Sequence, residues 1–144
     1  LLHFIILHYK LLLSFKFLLY IIFMKFIGNL LWFVLVGFIG GLAWLVVGLL
    51  WCISIVGIPV GIQCFKFAGL SFFPFGKEII YSDSIGNLVL NILWLIFGGI
   101  ELAIAYCAAG VALCVTIIGI PFGLQCFKIA RLAIMPFGAD TIPA

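Results

Sequence analysis

The sequence predicts an all-α integral membrane protein of two homologous repeats, each a long transmembrane helix followed by a short amphipathic helix. Three observations carry that expectation. Of 144 residues, 68% are hydrophobic and 8% are charged, with a mean hydropathy of +1.52. A soluble domain is about a quarter charged, because it must clothe its core in polar side chains. Secondly, "GIPVGIQCFKFAGLSFFPFG", from Gly57 to Gly76, returns as "GIPFGLQCFKIARLAIMPFG", from Gly119 to Gly138, with 13 of 20 positions identical. Thirdly, the same offset of 62 residues aligns 29–76 with 91–138 without gaps, at 21 identities in 48. Copies of a unit fold alike.

The elements follow in order. Residues 1–23 use only Leu, His, Phe, Ile, Tyr, Lys and Ser. Lys10 and Lys16 interrupt this stretch before it reaches the ~20 apolar residues of a membrane span, and no small-residue cleavage site follows it. Residues 1–23 therefore read as a non-native upstream extension, with Met24 as the natural start and repeats at 25–77 and 87–139.

Each repeat opens on a long apolar run, Leu30 to Val56 and Ile92 to Ile118. As a helix, either run is roughly 40 Å long, enough to cross a ~30 Å hydrocarbon core. Trp32 and Trp94 near its start suit the headgroup level, and Asn29 and Asn91 suit helix caps, or bonds between units. Gly37, Gly41 and Gly48 share a helical face, and Gly99, Ala103 and Gly110 repeat it. Such small residues let helices approach closely in lipid, which predicts contact between units or between protomers.

At "GIP" the chain must turn. Pro59 and Pro121 cannot continue a helix but fit the first turn of a new one. A helix of about 15 residues then runs until Pro74 or Pro136, with Gln63 and Lys66, or Gln125, Lys128 and Arg131, on one side. That pattern predicts a helix lying in the interface whose cations snorkel to anionic headgroups. "GKEIIYSDSIGN", from Gly76 to Asn87, reads as a loop.

Sidedness has two solutions. One crossing per repeat makes the copies antiparallel, as the helix length favours. An even number of crossings, or re-entrant hairpins bent at Gly40–Gly41 and Gly98–Gly99, keeps Lys25, Lys66, Lys77, Lys128 and Arg131 together on the cytoplasmic side, as the positive-inside tendency favours. The same-side arrangement is the expectation.

The stretches "ISIVGIPVGIQCFKFAGLSFFPFG" and "VTIIGIPFGLQCFKIARLAIMPFG" resemble the signature of the YccF-like inner membrane component family, and "MKFIGNLLWF" is similar to the way its members begin. The resemblance spans Met24 to Gly138. It implies a bacterial inner-membrane protein with two domain copies, and ion antiport has been suggested for related proteins. The family carries no established catalytic or binding residues, so none transfer.

Few residues suggest chemistry. Glu101 is the one acid inside a long apolar run, a position that marks an ion or proton site by default. Its rival roles are a pairing with Lys66, Lys128 or Arg131 and contact with a headgroup. The five cysteines, Cys52, Cys64, Cys107, Cys114 and Cys126, form no CxxC pair and fit small packing residues better than a metal site. No histidine follows Met24, and no nucleophile has an activating base. The formal charge of +3 lacks the clustered basic face that nucleic acid requires. The sequence thus predicts a non-enzymatic membrane component without cofactor, whose partners are membrane lipids, further copies of itself or other membrane proteins. The alternative is a component of an ion or proton transporter.

Overall fold

The computed structural model describes all residues from Leu1 to Ala144. Six helices and two short strands follow one another: α1 (Leu2–Trp32), α2 (Phe38–Cys52), α3 (Ile58–Phe72), β1 (Lys77–Tyr81), α4 (Ile85–Trp94), α5 (Ile100–Val115), α6 (Ile120–Ile134) and β2 (Ala139–Pro143). Single π-helical turns, Phe33–Gly37 and Leu95–Gly99, join α1 to α2 and α4 to α5, so each pair is one long interrupted helix. Three helical stretches are long and apolar enough to cross a membrane: Leu2–Cys52, Ile55–Phe72 and Ile85–Val115. Residues 2–20 of α1 are exposed throughout.

Each repeat is a helical hairpin. The reversal falls at "GIP", and Gly40–Gly41 and Gly98–Gly99 do not reverse the chain. Ser54 Oγ accepts the Gly57 N–H at 3.1 Å, and Thr116 Oγ1 accepts that of Gly119 at 3.2 Å. These caps satisfy donors that the helix start would otherwise leave open. The short arm ends because the residue before proline avoids helical angles: Phe73, before Pro74, takes φ −140° and ψ 80°.

The small face of each long helix receives the short helix of its own repeat. A Cβ on Gly48 would lie 2.6 Å from the Phe65 ring, and one on Gly110 would lie 2.7 Å from Phe127. Gly37, Gly41, Gly99 and Ala103 are buried along the same seam. These residues therefore close the hairpins from within, where contact between units or protomers was expected. The reason is local: the reversal brings α3 back over α2, and α6 over α5, at short sequence separation.

The open end of each hairpin is clipped by its asparagine. Asn29 donates Nδ2–H to Phe75 O and accepts the Phe75 N–H, both at 2.9 Å; Asn91 makes the same pair with Phe137. Neither residue caps a helix or bridges units. The N-cap of α4 is Ser84, whose Oγ accepts the Asn87 N–H. Trp32 is likewise not at a headgroup. It is buried, its indole N–H donating to Ser71 O at 2.7 Å, and Trp94 donates to Ala133 O at 2.9 Å.

The stretch read as a loop contains a strand. β1 pairs antiparallel with β2, in a register that sets Ile79 opposite its own repeat equivalent, Thr141. Trp44 likewise bonds its equivalent, Tyr106, at 3.3 Å. Equivalent residues meet in this way only where a pseudo-two-fold axis runs between the repeats. Around it, Phe67, Leu70, Ile129, Leu132 and Ala133 of the short helices form the centre of the core. The outer faces of the long helices remain exposed and apolar, from Val34 to Leu50 and from Ile96 to Val111.

Candidate functional site

The most elaborated region of the molecule is its sheet end, where the two repeats exchange lysines. Lys66 lies on α3 of the first repeat, and its ammonium donates to Pro136 O at 3.4 Å and to Ala139 O, both in the second. Lys128 lies on α6, and its ammonium donates to Pro74 O and Lys77 O of the first repeat, each at 2.8 Å. The acceptors are equivalent under the repeat, so the arrangement is one reciprocal clasp. Each carbonyl lies where a strand or a Pro-Phe-Gly turn leaves it without a ladder partner. An ammonium, with three donors and a mobile stem, can serve two such oxygens at once.

The lysines inside the greasy stretches were expected to snorkel outward. Instead both are half-buried and hold the opposite repeat. Of the three cations expected at headgroups, Arg131 is the exposed one, with its guanidinium 6.0 Å from the centre of the Tyr81 ring. Burial raises the pKa of the Tyr81 phenol, against the pull of Arg131 beside it. Lys77 donates to Gly69 O at 2.8 Å, and burial lowers its pKa. Lys25 packs its stem near Gly76. All five cations from Lys25 onward thus lie around the sheet.

Beside the sheet is a cleft of about 460 Å³ whose lining includes Tyr81, Asp83, Ser84, Asn87, Met135 and Phe137. Polar groups from the chain between β1 and α4 face an apolar floor there. Gly138, next to the lining residue Phe137, takes φ +84°, a left-handed conformation open to glycine, with Ser82 N donating to its carbonyl at 2.8 Å.

Glu101 is elsewhere. It is exposed in the first turn of α5, and neither Lys66, Lys128 nor Arg131 is its hydrogen-bond partner. The five cysteines are all free; Cys64 and Cys126 are buried in the packing of the short helices.

The comparisons with known proteins agree with this two-unit construction. The inner membrane component domain, YccF, matches twice, over residues 27–77 and 89–139. The chain is 40% identical over 130 residues to the inner membrane protein YccF of Escherichia coli (strain K12), covering 83% of this chain and 88% of that one. The inner membrane protein YccF of Shigella flexneri matches with the same identity and coverage. No solved structure matches the chain. The chain belongs to the YccF inner membrane component family, and it is an inner-membrane protein with two copies of that domain.

Proposed function

From that membership we propose that the protein is a non-enzymatic component of the inner membrane, with both hairpins entering from the cytoplasmic side. Its sheet end faces anionic headgroups, and its long helices present an apolar surface to lipid and to neighbouring membrane proteins. The grouping of Lys25, Lys66, Lys77, Lys128 and Arg131 at one end carries this reading. Both hairpins open at that end, as the clips at Asn29 and Asn91 require. Cations collect on the cytoplasmic side of a membrane protein, and each near an anionic surface contributes about 1 kcal/mol of attraction.

Arg131 and the cleft beside Tyr81 supply the headgroup contact. The guanidinium gives a fixed fork for a phosphate, while Met135 and Phe137 accommodate the start of an acyl chain. Purified protein in nanodiscs of purely zwitterionic lipid should melt at a lower temperature than in nanodiscs with a third of anionic lipid. Arg131→Gln should shrink that difference. Equal melting in both lipids would remove the headgroup role.

A further inference from the structure

The two repeats are copies, yet the interface between them is hollow on one side. A cavity of about 150 Å³ lies between the units, walled by Trp32, Gly40, Ser71, Tyr106, Leu113 and Ile129. The repeat equivalents of these residues are Trp94, Leu102, Ala133, Trp44, Trp51 and Phe67. On that other side Trp44 stacks on Phe67 at 4.7 Å, and Phe67 stacks on Trp94 at 6.2 Å. Glycine in place of leucine and isoleucine in place of phenylalanine account for the space.

The hollow side also gains a polar group. Ser71 stands where the other repeat has Ala133, is 3% exposed, and its hydroxyl has no hydrogen-bond partner. A buried hydroxyl left unpaired costs stability and calls for an explanation. Its surroundings are fixed, because the Trp32 indole is bonded to the Ser71 carbonyl. The Tyr106 hydroxyl accepts from Trp44 and keeps its own proton to donate. Val36 and Ala109, also in the lining, are exposed on the apolar long helices, so the cavity is entered from hydrocarbon.

We propose that this cavity is a binding site for a membrane-soluble molecule that carries a flat, phenol-like ring with one oxygen. An apolar cavity of about 150 Å³ admits a benzene-sized ring. A plain acyl chain would fill the walls but leave Ser71 unpaired. Water would pair Ser71 but gains little from walls this apolar. A ring-borne oxygen satisfies both, with the ring beside Trp32 and Ile129 and the oxygen at Ser71.

The test uses the full chain in nanodiscs, with 4-bromophenol as a heavy-atom quencher of tryptophan fluorescence. Wild type should show a saturable component above the linear background from partitioning into lipid. Ser71→Ala should weaken that component about tenfold, the worth of one hydrogen bond. Bromobenzene should bind wild type and Ser71→Ala alike. Gly40→Leu, which restores the leucine of the filled side, should abolish saturation. A Cβ at Gly40 meets only Ser71 Cβ, at 4.0 Å, and Ile129→Phe provides a second filling variant. Linear quenching alone in wild type, or saturation that survives both filling variants, would overturn the proposal.

Discussion

Replacing Lys66 with methionine keeps the stem and removes the ammonium that holds the second repeat. Ala139 O then loses its donor, and Pro136 O keeps only the Ala139 N–H, at 3.3 Å. A hydrogen bond to a charged group contributes ~1.5–3 kcal/mol, but the Pro136 contact is long, at 3.4 Å. The lysine is also only half-buried, so solvent screens it and its desolvation cost is regained. The net loss should be about 2 kcal/mol. For a chain of this size that lowers Tm by roughly 4–8 °C. Lys128→Met should cost slightly more, since both of its bonds are short, at 2.8 Å. Separation of the repeats is one event that breaks both clasps. The double variant should therefore depart from the sum of the singles by ~0.5 kcal/mol or more. Thermal unfolding in detergent, followed by intrinsic fluorescence, measures all three. Tm values within about 1 °C of wild type for both single variants would refute the clasp.

Three further outcomes follow from the packing. Gly48→Leu drives a side chain into the Phe65 ring and should cost upwards of ~3 kcal/mol, whereas Gly69→Ala, where a Cβ meets nothing within 4 Å, should be neutral or gain up to ~1 kcal/mol; paired melting curves check the contrast. Asn91→Leu leaves both polar groups of the buried Phe137 backbone unpaired and should cost about 2–4 kcal/mol, and normal stability of this variant would contradict the hairpin clip. Glu101→Gln, on an exposed and unclasped residue, should change stability by less than ~0.5 kcal/mol, and reconstituted vesicles should show no proton, sodium or potassium flux with either form. A flux that the variant abolishes would restore the transport reading.

The duplication, the turn at "GIP" and the small-residue seam were legible because each is local: glycine, proline and periodicity act within one repeat. What the seam touches was not. Spacing reveals that a helix face is small but not which helix fills it, and α3 reached Gly48 before any other repeat could. The strands were hidden for the opposite reason. β1 and β2 pair across most of the second repeat, with no hairpin turn between them, and five residues such as Lys77–Tyr81 carry too short a pattern to separate strand from loop. The lysines misled because their partners are backbone carbonyls. An acceptor such as Pro136 O leaves no trace in residue identity, so a cation in an apolar stretch reads as one seeking water or phosphate. Trp32 and Trp94 misled alike, through indole bonds to Ser71 O and Ala133 O.

Both repeats open on one face, and thiol labelling at equivalent exposed positions tests this directly. Glu78 and Asp140 occupy matching places on β1 and β2 and are both exposed. Each is changed singly to cysteine in a background lacking the five native thiols, and an impermeant reagent is applied to intact spheroplasts and to inverted inner-membrane vesicles. With both repeats opening to the cytoplasm, Glu78→Cys and Asp140→Cys both label in inverted vesicles and neither labels in spheroplasts. Labelling of one from each side would show that the repeats insert in opposite directions, and would contradict the shared orientation.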